Sequence, residues 1–201
     1  TAIRTLGRVD VQGNTLDIRN TVSGSEVALH GLVGVALSGV AAVDASAAGT
    51  ALKVIADSGS FSNSAGSAAL STPNGRWLVY SADPTVDTRG GLVYDFKQYD
   101  ALPGDTVLGT GNGFLYSIAP TVTASLVGTV SKTYDGTDVA TLSATNYVAT
   151  GIDGDTVTLN NPATGTYDTK GVGSGKLVTV GGLSVVSAVD GSAPVYGYNP
   201  V

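Results

Sequence analysis

The sequence predicts an all-β chain, and three observations predict it. Of 201 residues 28 are Gly, about twice ordinary usage, and Val, Thr and Ser are plentiful, which favours short strands joined by turns over helices. Of the 16 acidic residues only Glu26 is a Glu; the others are Asp, which suits turns where Glu suits helices. Hydrophobic residues make up 42% of the chain and net charge is -6, so there is enough apolar surface to pack a core and too little charge for wholesale disorder. Small Ala, Val and Ser side chains must fill most of that core.

The first elements are short alternating segments between Val9 and Phe61: Val9 to Val11, Thr15 to Ile18, Glu26 to Leu29, Leu52 to Ile55, and Ser60-Phe61. Strands so short do not make a stable isolated hairpin, but they suit a solenoid whose coils stack on one another around a narrow interior. A plain antiparallel sheet is the alternative. Val40 to Ala51, rich in Ala, reads either as one short helix or as a small-residue wall of a coil, because Gly and Ser punctuate it.

Between Thr72 and Pro120 the texture changes. Trp77, Tyr80, Tyr94, Phe96, Tyr99, Phe114 and Tyr116 gather there, seven of the chain's 13 aromatics, among turn signals such as Pro73-Asn74-Gly75 and Pro103-Gly104. A solenoid that simply stopped would expose an apolar end and unpaired strand edges, so an aromatic cap or connector is expected. From Thr121 onward, strands and turns alternate regularly: Thr121 to Lys132, Tyr134-Asp135-Gly136, Ala140 to Ala149, Asp153-Gly154, Thr156 to Asn160, Thr166-Tyr167, Leu177 to Val180, Leu183 to Val189 and Asp190-Gly191. That spacing predicts a small Ig-like β-sandwich. The expected units are solenoid coils over 1–80, a cap or connector over 81–119, and a sandwich over 120–201.

Chemistry is sparse. An acidic pI near 4.4 and only ten scattered Lys and Arg give no basic patch for nucleic acid or an anionic membrane. No apolar run approaches the roughly 20 residues of a spanning helix. The absence of Cys excludes disulfides and thiolate metal sites. His30 is the only His, and with no Gly-x-Ser-x-Gly elbow around any Ser it reads as structural or exposed, not catalytic. Gly109 to Gly113 and Gly171 to Lys176 invite a phosphate loop, but Lys170 stands where the opening Gly of the second should be and Leu177 follows Lys176, so both read as turns. Asp135/Asp138 and Asp153/Asp155 offer oxygens for calcium, yet no EF-hand or Gly-Gly-x-Gly-x-Asp nonapeptide surrounds them, and Asx turns are the expectation. Residues 1–70 hold only Arg4, Arg8, Arg19 and Lys53 with Glu26 and four Asp, too few for the acid-and-base face of a polysaccharide-degrading solenoid. The candidate ligand surface is Trp77, Tyr80, Tyr94 and Tyr99, residue types that stack on sugar rings; the competing role for them is to fill the joint between two units.

Two stretches resemble a family. Residues 75–118, from Gly75-Arg-Trp-Leu-Val-Tyr-Ser through Leu92-Val-Tyr-Asp-Phe-Lys-Gln-Tyr99 to Gly109-Thr-Gly-Asn-Gly-Phe-Leu-Tyr-Ser117, resemble the segment after the β-helix in filamentous-haemagglutinin-type exoproteins of Gram-negative bacteria. Residues 121–198, with Lys132-Thr-Tyr134-Asp135-Gly136-Thr, Gly154-Asp155-Thr-Val-Thr-Leu and Val195-Tyr-Gly-Tyr198, resemble the YDG repeat module of those proteins. The resemblance implies a two-partner-secretion adhesin or biofilm exoprotein, secreted to the cell surface through an outer-membrane transporter. Its β-helix would be a shaft and its YDG modules a stalk; with the catalytic and ligand groups missing from the sequence, the expectation is a non-enzymatic segment with no cofactor or metal. Surface glycans or host receptors are the ligands it suggests. Tyr134, Asp135 and Gly136 carry over as structural residues, with Asp135-Gly136 making a tight turn and Tyr134 packed beside it. A start at Thr-Ala-Ile without Met suggests a piece of a longer polypeptide.

Overall fold

The computed structural model describes residues 1–199. Strands dominate it, and the only helical turns among the described residues are two short 3-10 turns, Pro84–Val86 and Ala144–Asn146. The last two residues of the expected third unit lie outside the described residues.

The first part of the chain forms β1 (Ile3–Arg4), β2 (Val9–Ile18), β3 (Thr21–Gly24), β4 (Val27–Leu37), β5 (Ala42–Ala45), β6 (Gly49–Ala56), β7 (Phe61–Asn63), β8 (Leu70–Ser71) and β9 (Gly75–Ser81). Every pairing among these strands is parallel. Strands connected in sequence do not pair with one another: they are divided between two sheets, β1-β3-β5-β8 and β2-β4-β6-β9, with β7 also in the second, where it pairs with β4. Within each sheet, paired residues of neighbouring strands stand side by side in rows. Ile3, Val22, Val43 and Leu70 form one such row. The stretch Val40 to Ala51, open between helix and coil wall in the sequence, forms β5 and the start of β6 with a bend between them, and its small Ala41, Ala45 and Ala51 are buried in the core.

The aromatic segment does not cap this sheet from outside but extends it. β10 (Phe96–Gln98) and β11 (Gly113–Tyr116) join as parallel strands, with β11 inserted between β9 and β10. Glycine permits the insertion: a Cβ at Gly113 would stand 2.2 Å from the Phe96 ring and one at Gly109 2.1 Å, so the ring lies flat against bare backbone. Phe114 centres the aromatic core, with Trp77 at 5.3 Å and Tyr94 at 5.2 Å in edge-to-face contact.

The rest of the chain changes hand of pairing. It forms β12 (Thr123–Leu126), β13 (Val139–Thr141), β14 (Tyr147–Thr150), β15 (Thr156–Leu159), β16 (Thr164–Tyr167), β17 (Val178–Thr179), β18 (Val185–Asp190) and β19 (Ala193–Tyr196). Pairings within this set are antiparallel: β12 with β14, β13-β16-β17, and β15-β18-β19. The expected single strand Ala140 to Ala149 is divided between two sheets, because the turn Ala144–Asn146 closes at Ser143 through mutual Ser143 and Asn146 hydrogen bonds.

β19 pairs in parallel with β10, so the ten-stranded sheet passes from the parallel strands through the aromatic segment into the antiparallel part. One cross-strand row makes this concrete: Val11, Leu29, Val54, Val79, Phe114, Lys97, Val195, Ala188 and Val157 are successive partners in it. Eight of those nine residues are apolar. The ninth is a lysine.

Candidate functional site

Because residues in register across a sheet share a face, Lys97 points where Phe114 and Val195 point, into the core. Its residue exposure is 0%. An ammonium so placed is costly unless it is paired and hydrogen-bonded. Three carboxylates meet it. Nζ stands 2.8 Å from Asp153 Oδ2 and 2.9 Å from Asp190 Oδ2, and touches Asp155 Oδ1.

Local structure explains how three acids reach one point. Asp153 and Asp155 flank Gly154 in the turn before β15, where Asp153 (φ 54°) and Gly154 (φ 78°) both take left-handed backbone and Asp155 N–H donates to Ile152 O at 3.0 Å. Asp190 ends β18 at the Asp190-Gly191 hairpin to β19. The carboxylates converge from the antiparallel part onto a lysine carried by the parallel part. They could form a cation site, but the Lys97 ammonium fills the place a cation would take.

A second layer surrounds the cluster. Arg89 pairs with Asp153, approaches Asp190 at 3.9 Å, and lies 5.2 Å from the Phe114 ring centroid and 5.4 Å from that of Tyr94. It also donates to Tyr116 Oη at 2.8 and 3.1 Å. Tyr94 donates to Asp190 Oδ2, Tyr99 to Asp155 Oδ2 at 2.6 Å, and Tyr198 to the same oxygen at 2.8 Å. Tyr198 Oη also accepts Ile152 N–H at 2.9 Å.

Burial opposes the Lys97 charge, yet the hydrogen bonds it donates to Asp153 and Asp190 and its contact with the Asp155 carboxylate outweigh it and hold the ammonium above its ordinary pKa. Burial likewise pushes the Asp190 carboxyl up, and hydrogen bonds from Tyr94 and Lys97 bring it below the usual range. Desolvation, then the hydrogen bond to Asp155, drive the Tyr99 phenol far up, so it is a donor throughout the physiological range. One polar atom stands out: Asp155 Oδ1 is the one fully buried side-chain oxygen or nitrogen among the described residues that accepts no well-directed hydrogen bond.

The residues singled out from the sequence fall elsewhere or differently. Trp77, Tyr80 and Tyr99 are buried, so they do not form an exposed stacking surface; in register within or beside the central sheet, they fill the core. Tyr94 is half-buried, with its hydroxyl committed to Asp190. Asp135 accepts hydrogen bonds from Lys132 Nζ at 2.8 Å and from Thr137 N–H and Oγ1 at 2.9 Å, and Gly136 has φ 78°, so the pair makes a tight turn. Tyr134 is not packed beside that turn: it is 63% exposed, because the turn projects it outward onto the rim of a groove shared with Thr169 to Val178. His30 makes a surface pair with Asp57 at 2.6 Å. Gly171 to Lys176 is the connection from β16 to β17. Asp153/Asp155 is no simple Asx turn but two of the three carboxylates around the lysine.

Residues 118–193 match the family described as YDG domain, so a YDG domain occupies that part of the chain. No curated protein and no solved structure matches. Asp153, Asp155 and Asp190 lie inside the YDG span, and Lys97 and Arg89 lie outside it.

Proposed function

We propose that the chain is a non-enzymatic structural segment of a secreted bacterial surface adhesin or biofilm exoprotein. In this reading the stacked parallel coils are the end of a β-helix shaft, and the YDG domain is the first β-sandwich module of a stalk. The longer protein leaves the cell through an outer-membrane two-partner-secretion transporter. The observation that carries the reading is the continuous sheet, in which β10 hands the parallel strands over to β19 of the other part. A joint built for a mobile binding head needs few crossing contacts. Here backbone hydrogen bonds and five charged side chains cross it, as a fibre that transmits load requires.

The test is display of the full-length protein in its own host. An antibody raised against this segment should label intact cells, and replacing the segment by an unrelated β-rich spacer of equal length should preserve both display and adhesion. Labelling only after permeabilisation, or adhesion lost while display persists, overturns the proposal.

A further inference from the structure

The cage around Lys97 has more in it than an ion pair needs. Lys97 and Asp155 side chains are both 0% exposed, and their Nζ and Oδ1 are in contact. That same oxygen is the one that accepts no well-directed hydrogen bond, while the other oxygen, Oδ2, receives two from Tyr99 and Tyr198. One face of the carboxyl group is thus polarised by two fixed donors, and the other is left open to an amine pressed against it. A further carboxylate, Asp190, touches the amine at 2.9 Å. These are the parts of a condensation: nucleophile, electrophile, oxyanion donors and a proton carrier.

We propose that Lys97 and Asp155 condense to an intramolecular isopeptide bond, joining β10 of the parallel part covalently to the YDG domain. The step balances within the cluster. The ammonium passes one proton to Asp190, which relays it to Asp155 Oδ1. The freed lone pair on Nζ attacks Asp155 Cγ, and the negative charge that gathers on Oδ2 is held by the Tyr99 and Tyr198 hydroxyls. A second proton follows from nitrogen to Oδ1 by the same relay, the Cγ–Oδ1 bond breaks, and water leaves. An ammonium and a carboxylate become one neutral amide and one water, no oxidant or cofactor is consumed, and Asp190 returns to its ionised form. The first transfer moves a proton between neighbours and not to bulk water. It replaces two buried charges by two neutral groups, and because the surrounding carboxylates hold the ammonium charged, this transfer is the slow part of the step. Proximity supplies the rest, since both reactants are held in contact by the fold. Asp153 is unsuited to the relay because its Oδ2 is shared with Arg89.

The inference stands apart from the reading of the chain as a stalk, because an isopeptide bond is a property of the folded segment whatever its role. The experiment is the intact mass of the purified 201-residue chain, shown to be folded by circular dichroism and then fully denatured. The expected mass is that of the sequence less one water, with tandem mass spectrometry finding the peptide of Lys97 joined to that of Asp155. Lys97→Arg, which keeps the charge but cannot condense, should show the full sequence mass. Asp155→Asn should lose one ammonia and yield the same cross-linked peptide as the wild type. Asp190→Asn, which leaves both reactants in place, should slow the mass loss at least tenfold in a time course after refolding. A folded wild-type chain at its full sequence mass overturns the proposal, as does a one-water loss that persists in Lys97→Arg.

Discussion

The parallel part and the YDG domain are both built of short strands, but they are stabilised differently. In the parallel part, β4 and β6 place Leu29, Leu37, Leu52 and Val54 at 0% exposure, and the paired residues Val22, Val43 and Leu70 are all buried. In the YDG domain, strands β12 and β14 alternate between exposed and half-buried positions, and burial is confined to a few residues such as Ala140, Leu142, Leu159 and Tyr167. Each inner strand of the parallel part is flanked on both sides, so its side chains pack against those of two neighbours. A module of fewer than 80 residues with a thin interior depends instead on its turns and on what it is fastened to. The lysine cage is that fastening, and it spans the two regimes.

The largest effect should come from cutting the fastening. Lys97→Ala removes the proposed cross-link and leaves three carboxylates facing one another with only Arg89 to compensate, and breaking a buried ion pair alone costs about 3–5 kcal/mol. Thermal unfolding followed by circular dichroism should change from one transition to two, with the YDG domain melting first. A single transition at an unchanged temperature would show that the two regions do not depend on one another.

Core truncations sharpen the contrast. Leu52→Ala, at a fully buried position between two neighbouring coils, should cost about 3–5 kcal/mol. Leu142→Ala, at 6% exposure in the thinner interior, should fall near 2 kcal/mol, because its surroundings can collapse into the space. Urea denaturation of the two variants checks the order, and equal losses would mean that the two interiors are equally well packed.

What the sequence revealed follows the same division. Alternation and turn chemistry are local, and they identified the all-β class, the turn at Asp135-Gly136 and the change of texture near Pro120. Pairing is not local. Nothing in Asp95-Phe-Lys-Gln-Tyr99 says that Lys97 stands in line with Phe114 and Val195, since that depends on β11 entering between β9 and β10 and on β19 returning from almost 100 residues away. A lysine amid aromatics at alternating positions was the one available signal, and without its partners it reads as an exposed side chain. The aromatic cluster misled for the same reason: residue type identifies Trp77 and Tyr99 as able to stack on a ligand, whereas register decides that they face inward.

Acidity should separate the two regions in opposite directions. Asp87, beside the coils, accepts hydrogen bonds from Phe61 N–H at 2.8 Å and Ser81 Oγ at 2.6 Å, and burial raises its carboxyl to about 6 from 3.8. The folded chain thus holds this proton more tightly than the unfolded one. The stability it contributes is complete below 3.8 and is lost as pH rises through 6, an effect of about 2–3 kcal/mol. Asp87→Asn keeps an oxygen for Phe61 and cannot ionise, so it should raise the melting temperature at pH 7 and leave it unchanged near pH 4. A loss of stability at pH 7 would instead show that the charge itself is needed, through its attraction to Arg89.

The smallest effects belong to the YDG turn, and there the sign reverses. Hydrogen bonds from Lys132 and Thr137 hold the Asp135 carboxyl down at about 2, so its contribution is present above 3.8 and fades only as pH falls through 2. Asp135 is solvent-exposed, and water and salt screen its pair with Lys132, so Asp135→Ala should lower the melting point of the YDG transition only slightly and less at high salt. Gly136→Ala isolates the backbone share of the same turn. An added Cβ there meets nothing within 4 Å, so any cost comes from forcing a side chain into φ 78°, about 1 kcal/mol. Read in the Lys97→Ala background, where the YDG domain melts by itself, the Gly136→Ala shift should appear in full in the first transition and leave the second unmoved. If both transitions move together, the turn communicates with the coils by a route other than the lysine cage.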